Sequence, residues 1–142
     1  MVLLNIENML SVFFFYGGLG VFALRLVLGV IFLVHGWPKL RNLKQTAAGF
    51  SGMGFKPGGF WGTLVALLEF FGGIALVLGF YTQTFAALFA LQFLTIIVWK
   101  IARRQPFVGG IEFDLLILAG FLVLLLNGGG AWSLDRAFFL GW

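Results

Sequence analysis

Cysteine is absent from the 142-residue chain. This excludes disulfides, thiolate-held zinc, cysteine-ligated iron–sulfur clusters and thiol redox chemistry within it. Histidine occurs once, at His35, so a bis-histidine haem or a multi-histidine metal site cannot be assembled from one copy. Charge is scarce as well: charged residues make up 10% of the chain, against about 25% in an average soluble domain. That is too little to cover a water-facing surface. No Walker, HExxH or Ser-His-Asp pattern is present. Gly52-Met53-Gly54 lacks the preceding strand that a dinucleotide-binding turn requires. No catalytic residue, metal ligand or intrinsic cofactor is therefore expected. The net charge of +4 is read as setting orientation in a membrane rather than binding nucleic acid.

What fills the chain instead is apolar: 61% of residues are hydrophobic, with 19 Phe and 21 Gly. A helix crossing hydrocarbon roughly 30 Å thick needs about 20 such residues. Four stretches qualify, at residues 17–37, 60–81, 83–100 and 110–126. Pro38 is expected to stop the first, and the second follows the breaker Lys56-Pro57-Gly58-Gly59. The alternating polarity of a membrane barrel is missing, and backbone groups in lipid must bond within their own segment. The expected fold is an all-α four-helix membrane bundle. Its parts are an N-terminal segment at 1–16, the bundle domain at 17–136 and a short tail at 137–142. Val2, Ile6, Met9, Leu10 and Phe13 share one helical face, which makes 1–16 either an interfacial helix or an extension of the first span. No Lys or Arg precedes its apolar stretch, unlike a cleaved signal peptide.

Lys and Arg sort by side. Lys39, Arg41, Lys44 and Lys56 follow the first span, and Lys100, Arg103 and Arg104 follow the third, while the other side has only Arg136. The positive-inside rule places both basic connections in the cytoplasm and both termini outside. The basic loop 41–59, with Phe50, Met53 and Phe55, suits either anionic lipid or a cytoplasmic partner.

Ionisable groups inside a span are candidates for function, because each is costly to hold in hydrocarbon. Counted from the span ends, Arg25, Glu69 and Gln92 fall in one layer between the outer face and the midplane, at about 1.5 Å per residue. Arg25 and Glu69 are expected to pair there, with Gln92 completing the hydrogen bonds. Three readings stand open: a register-locking ion pair, a polar pocket for a quinone headgroup or small solute, or a proton or ion path. A second set, His35, Lys39, Lys100, Arg103, Glu112 and Asp114, is expected to form a salt-bridge ring at the cytoplasmic mouth. Gly29, Gly36, Gly72, Gly73, Ala86 and Ala90 offer small surfaces for close helix approach.

Several short motifs, in order, resemble the DoxX family of small four-span bacterial inner-membrane proteins. They are Leu24-Arg25-Leu26-Val27-Leu28-Gly29, His35-Gly36-Trp37-Pro38-Lys39-Leu40, Gly52-Met53-Gly54-Phe55, Glu69-Phe70-Phe71-Gly72-Gly73, Leu78-Gly79 and the closing Gly128-Gly129-Gly130-Ala131-Trp132-Ser133-Leu134-Asp135. The resemblance covers roughly residues 19–136; the tail has Gly-Gly-Ala where the family often has Gly-Pro-Gly. It implies a multi-pass subunit of the bacterial cytoplasmic membrane, linked to redox systems and to quinone, with Arg25 and Glu69 in the family's positions. An accessory or anchoring subunit of a membrane oxidoreductase is the first functional expectation. Its partners are the bilayer and other complex subunits or further copies of itself, and its bound groups are a quinone or lipid. A small-solute or proton-coupled transporter and a purely structural subunit are the alternatives. A phosphatase reporter fused after Trp142 should be active and a fluorescent one dark; the reverse pattern would overturn the expected topology.

Overall fold

The computed structural model describes the backbone of residues 2–140 and the side chains of residues 18–138. Among the described residues five α-helices follow in order: α1 (Val2–Arg41), α2 (Leu43–Gly52), α3 (Gly58–Leu78), α4 (Thr82–Ala102) and α5 (Glu112–Asn127). A kinked turn, Phe107–Ile111, with non-helical backbone at Val108 and Gly109, leads into α5, and a short π-helical turn, Arg136–Leu140, follows it. No strand occurs among the described residues. Gly18–Arg41, Gly58–Leu78, Thr82–Ala102 and Phe107–Asn127 are each long and apolar enough to cross a membrane. The multi-pass, all-helical bundle expected from hydropathy is the one observed. Its outer faces carry bare aliphatic side chains, with Leu91, Leu116 and Leu126 at 63%, 68% and 81% exposure. Such a surface belongs in lipid.

The span boundaries differ from expectation in instructive ways. Pro38 does not stop α1, which runs through it to Arg41. Proline removes the single bond that would reach back to the Val34 carbonyl, and the Asn42 N–H donates to the Pro38 carbonyl at 3.1 Å, closing the last turn. At the other end α1 continues without a break to Val2. The backbone of 2–16 is thus continuous with the first span, while the interfacial placement considered for 1–16 rests on side chains outside the described residues. α3 stops earlier than expected, at Gly79, whose φ of 70° is one that glycine adopts without strain. There the Phe80 N–H donates to the Ala75 carbonyl at 2.9 Å and the Gly79 N–H to that of Leu76 at 3.1 Å, a Schellman ending.

Helices α1 and α3 lie antiparallel and in very close contact. A Cβ added to Gly73 would lie 2.6 Å from the Leu33 nitrogen and 2.8 Å from the Gly29 carbonyl oxygen. Gly36 meets the backbone of Glu69 and Phe70 in the same way. Hydrocarbon offers no hydrophobic drive for helices to associate, so dispersion between closely approaching backbones carries the contact. Helix α2 rides on the start of α3, with Thr46 against Gly62. Its N-terminus is capped by Asn42, whose Oδ1 accepts the Gln45 N–H at 3.1 Å.

Across from this seam, α1, α4 and α5 meet through phenylalanine. Phe32 lies 4.6 Å from Phe89, and Phe89 stacks on Phe121 at 4.7 Å with a 9° tilt. Phe93 stands edge-on to Phe32 at 5.5 Å. Leu28, Leu76 and Leu124 close the cluster. This aromatic core holds α4 and α5 against α1, and α3 joins it through Leu76 and through Gly72, which lies against Phe89. Gly73→Ala should lower stability by about 1–3 kcal/mol through overpacking. Gly20→Ala, at a position with nothing within 4 Å, should leave it unchanged. Thermal unfolding in nanodiscs checks both, and equal midpoints for the two variants would deny the seam its role.

Candidate functional site

The polar residues sort into three groups. At the hairpin end, where α3 turns into α4, Arg25 is 1% exposed. Its Nη1 donates to the carbonyls of Leu76 at 3.0 Å and Val77 at 3.2 Å, and its Nη2 to that of Trp132 at 2.5 Å. The last carbonyls of a helix lack intrahelical partners and carry the negative end of its dipole. A guanidinium supplied by another helix satisfies both demands. Opposite it, the Asp135 carboxylate accepts the N–H of Tyr81 at 2.6 Å and of Thr82 at 2.8 Å. Asp135 thereby caps the positive start of α4, which its own N-cap, Tyr81, does not. The Asp135 N–H returns to the Gly79 carbonyl at 2.8 Å. The tail is stapled onto the hairpin.

The second group lies deeper in the bundle. Lys39 Nζ donates to Glu69 Oε1 at 2.6 Å and Oε2 at 2.5 Å, and Gln92 Nε2 donates to Oε1 at 3.0 Å. Glu69 has 5% of its side chain exposed and Lys39 32%, so the site opens along the lysine stem. The amide oxygen of Gln92 is buried and has no hydrogen-bond partner.

The third group is at the basic end. Lys100 Nζ bonds Asp114 Oδ2 at 2.6 Å and the Gly110 carbonyl at 2.8 Å. Trp99 Nε1 and Arg103 Nη2 converge on the Met53 carbonyl at 3.0 and 2.9 Å. Arg103 also sits 4.5 Å over the Trp99 ring. These contacts clamp the α2–α3 connection onto α4. Glu112 turns instead to its own chain, accepting the Gly109 N–H at 2.8 Å.

Two expectations need correction. Arg25 and Glu69 do not pair; only Glu69 and Gln92 come together, and Lys39 takes the place expected for Arg25. Gly36, beside Glu69, is eleven positions past Arg25, which puts about 16 Å along the axis between the two charges. The depth count went astray at its origin, because residue 17 lies inside a continuous helix and marks no boundary. The ring at the basic end does not form either. Lys39 goes to Glu69, Lys100 to Asp114 and Glu112 to a backbone amide, while His35 is exposed. Asp135 and Met53 were not singled out as partners by sequence. The Gly29, Gly36 and Gly73 positions were the one signal from which the α1–α3 register, and with it the Lys39–Glu69 pair, follows.

The DoxX family model matches residues 20–101 of the chain. The chain belongs to the DoxX family. Among DoxX-family relatives, the Bacillus subtilis protein named "Putative oxidoreductase CatD" is 32% identical over 87% of this chain and 90% of its own length. Inner membrane protein YqjF of Escherichia coli is 35% identical over 82% of this chain and 90% of its own. The membrane protein Rv3486 of Mycobacterium tuberculosis is 31% identical over 82% and 79%. No solved structure matches the chain. The matched DoxX region contains Arg25, Lys39, Glu69 and Gln92 and stops before Asp114 and Asp135.

Arg25→Met should cost about 3 kcal/mol of stability, because it strips the donors from three backbone carbonyls at the hairpin end. Asp135→Ala should cost about 1 kcal/mol, as loss of a helix cap does. Denaturation in nanodiscs measures both, and a wild-type midpoint for Arg25→Met would show that its three bonds stabilise nothing.

Proposed function

We propose that this DoxX-family protein is an accessory, membrane-anchoring subunit of a membrane oxidoreductase, and that it holds a quinone headgroup at Lys39, Glu69 and Gln92. The observation that carries the reading is the ion pair with an amide built into the interior of a lipid-embedded bundle. A buried ion pair is weak as a stabiliser, since desolvation offsets most of its attraction. Its retention in a span therefore favours a role in binding. Lysine offers three N–H donors and an amide two more, and the bonds to Glu69 do not use them all. A quinone has two carbonyl acceptors and a ring that suits an apolar wall.

The redox step itself belongs to a partner on this reading. The chain has no cysteine, and no cluster of three or more metal-ligating side chains occurs among the described residues. The oxidoreductase in the name of the Bacillus relative agrees in kind. In this arrangement the basic end, with Lys39 at the mouth of the site, faces the cytoplasm, where a soluble redox enzyme would dock.

The test is extraction in mild detergent followed by mass spectrometry of the copurifying lipids and proteins. Wild type should carry quinone and a redox subunit. Glu69→Gln should lose at least about ten-fold of the quinone, as expected when a charge-assisted anchor is removed. It should still fold, because Lys39 is exposed enough to reach water along its stem. Recovery of homo-oligomers alone, free of quinone, would reject the proposal. A Glu69→Gln variant that merely unfolds would favour a register-locking role for the pair.

A further inference from the structure

The hairpin end holds a cavity of about 460 Å³, with Phe22, Leu78, Trp132, Leu134, Arg136 and Ala137 in its wall. Small ligands fill spaces of that size. Leu78 is the last residue of α3, so the cavity lies where a span leaves hydrocarbon for the headgroup layer. Its wall is apolar except at Arg136, which is exposed. The Arg136 guanidinium has no hydrogen-bond or ion-pair partner among the described residues. We infer that this cavity seats one phospholipid whose headgroup is net negative. Its phosphate meets Arg136, and the first carbons of its chains lie on Phe22, Leu78 and Trp132. The site is separate from the Lys39–Glu69–Gln92 cluster and does not depend on the quinone reading.

The charge behind the wall sets the sign of the ligand. Arg25 donates only to carbonyls, and its Nε is buried without a partner. No carboxylate among the described residues lies within ion-pair distance of it. Its Cζ is 5.4 Å from the centroid of the Phe22 ring, and that ring lines the cavity. A ligand does not touch the Arg25 guanidinium; it feels the charge across an apolar wall that screens far less than water. Thr82 Oγ1, the other buried atom here without a partner, is uncharged and sets no sign. Asp135 is already committed, because its two oxygens accept the N–H groups of Tyr81 and Thr82. A zwitterionic headgroup would therefore bring its ammonium to a place with two cations and no free carboxylate. The cavity is also held in shape. The Asp135 N–H donates to the Gly79 carbonyl at 2.8 Å. Ser133 Oγ accepts the Arg136 N–H at 3.3 Å and donates to the Gly130 carbonyl at 2.7 Å.

The test titrates the full chain in non-ionic detergent with short-chain phosphatidylglycerol and phosphatidylcholine, and native mass spectrometry counts the lipid retained. Wild type should keep the anionic lipid about five-fold better, as one charge-assisted Arg–phosphate bond provides. Arg136→Gln should remove most of that preference. Ala137→Trp, which fills the cavity and alters no charge, should weaken retention of both lipids. Lys44→Gln, an equal loss of charge at the basic end, should leave the wild-type ratio. Equal retention of the two lipids by wild type would overturn the inference. So would a preference that persists in Arg136→Gln, or one that falls as far in Lys44→Gln, since net charge or another face would then select the lipid. Unchanged retention in a folded Ala137→Trp would reject the cavity as the seat. Displacement of the lipid by inorganic phosphate alone would assign the site to a free anion instead. If Ala137→Trp fails to fold, the contrast between Arg136→Gln and Lys44→Gln decides the matter, because both positions are exposed.

Discussion

The contact between α1 and α3 governs where Arg25, Lys39 and Glu69 end up. Gly29, Gly36 and Gly73 bring the two backbones together so closely that a single added Cβ would collide with main-chain atoms. A seam of that kind tolerates no sliding. With the register set, Arg25 arrives at the last carbonyls of α3 and Lys39 arrives at Glu69. Shifting α1 by one turn, about 5.4 Å, would break both arrangements together and leave charges without partners in hydrocarbon. The polar chemistry is therefore a consequence of apolar packing.

The two buried charge systems answer the same physical problem with different results. Arg25 bonds backbone carbonyls, so its charge is spread over helix ends that needed donors in any case. Asp135 does the reverse for the start of α4. Together they close the hairpin end, where the buried Arg25 Nε and Thr82 Oγ1 remain without hydrogen-bond partners. The Lys39–Glu69–Gln92 system instead joins side chain to side chain, and one flank is reachable along a lysine stem.

The fold and the site were legible in the sequence to different degrees. The four spans follow from length and apolar content, since only a helix of about 20 residues satisfies its own backbone across hydrocarbon. Arg25, Glu69 and Gln92 were recognisable as residues out of place in lipid. Their partners were not recognisable, because depth was counted from apparent span ends. α1 has no break at residue 17, and α3 ends at Gly79 because an Arg25-capped Schellman turn lies there. Lys39 looked like a boundary charge because Pro38 looked like a stop. Once the helix continues through Pro38, Lys39 faces inward.

By itself, the sequence determined the solvent, the number of crossings, the helical class and the membership of a membrane-protein family. Each of these depends on local quantities: hydropathy over a window, turn-forming residues, and short motifs in order. Tertiary structure alone decided which charge meets which. Pairing depends on the rotation and axial offset of whole helices, and those are set by glycine contacts between segments some forty residues apart. A few ångströms of offset separate an Arg–Glu pair from an Arg-capped helix and a Lys–Glu–Gln site, and no local pattern encodes a few ångströms.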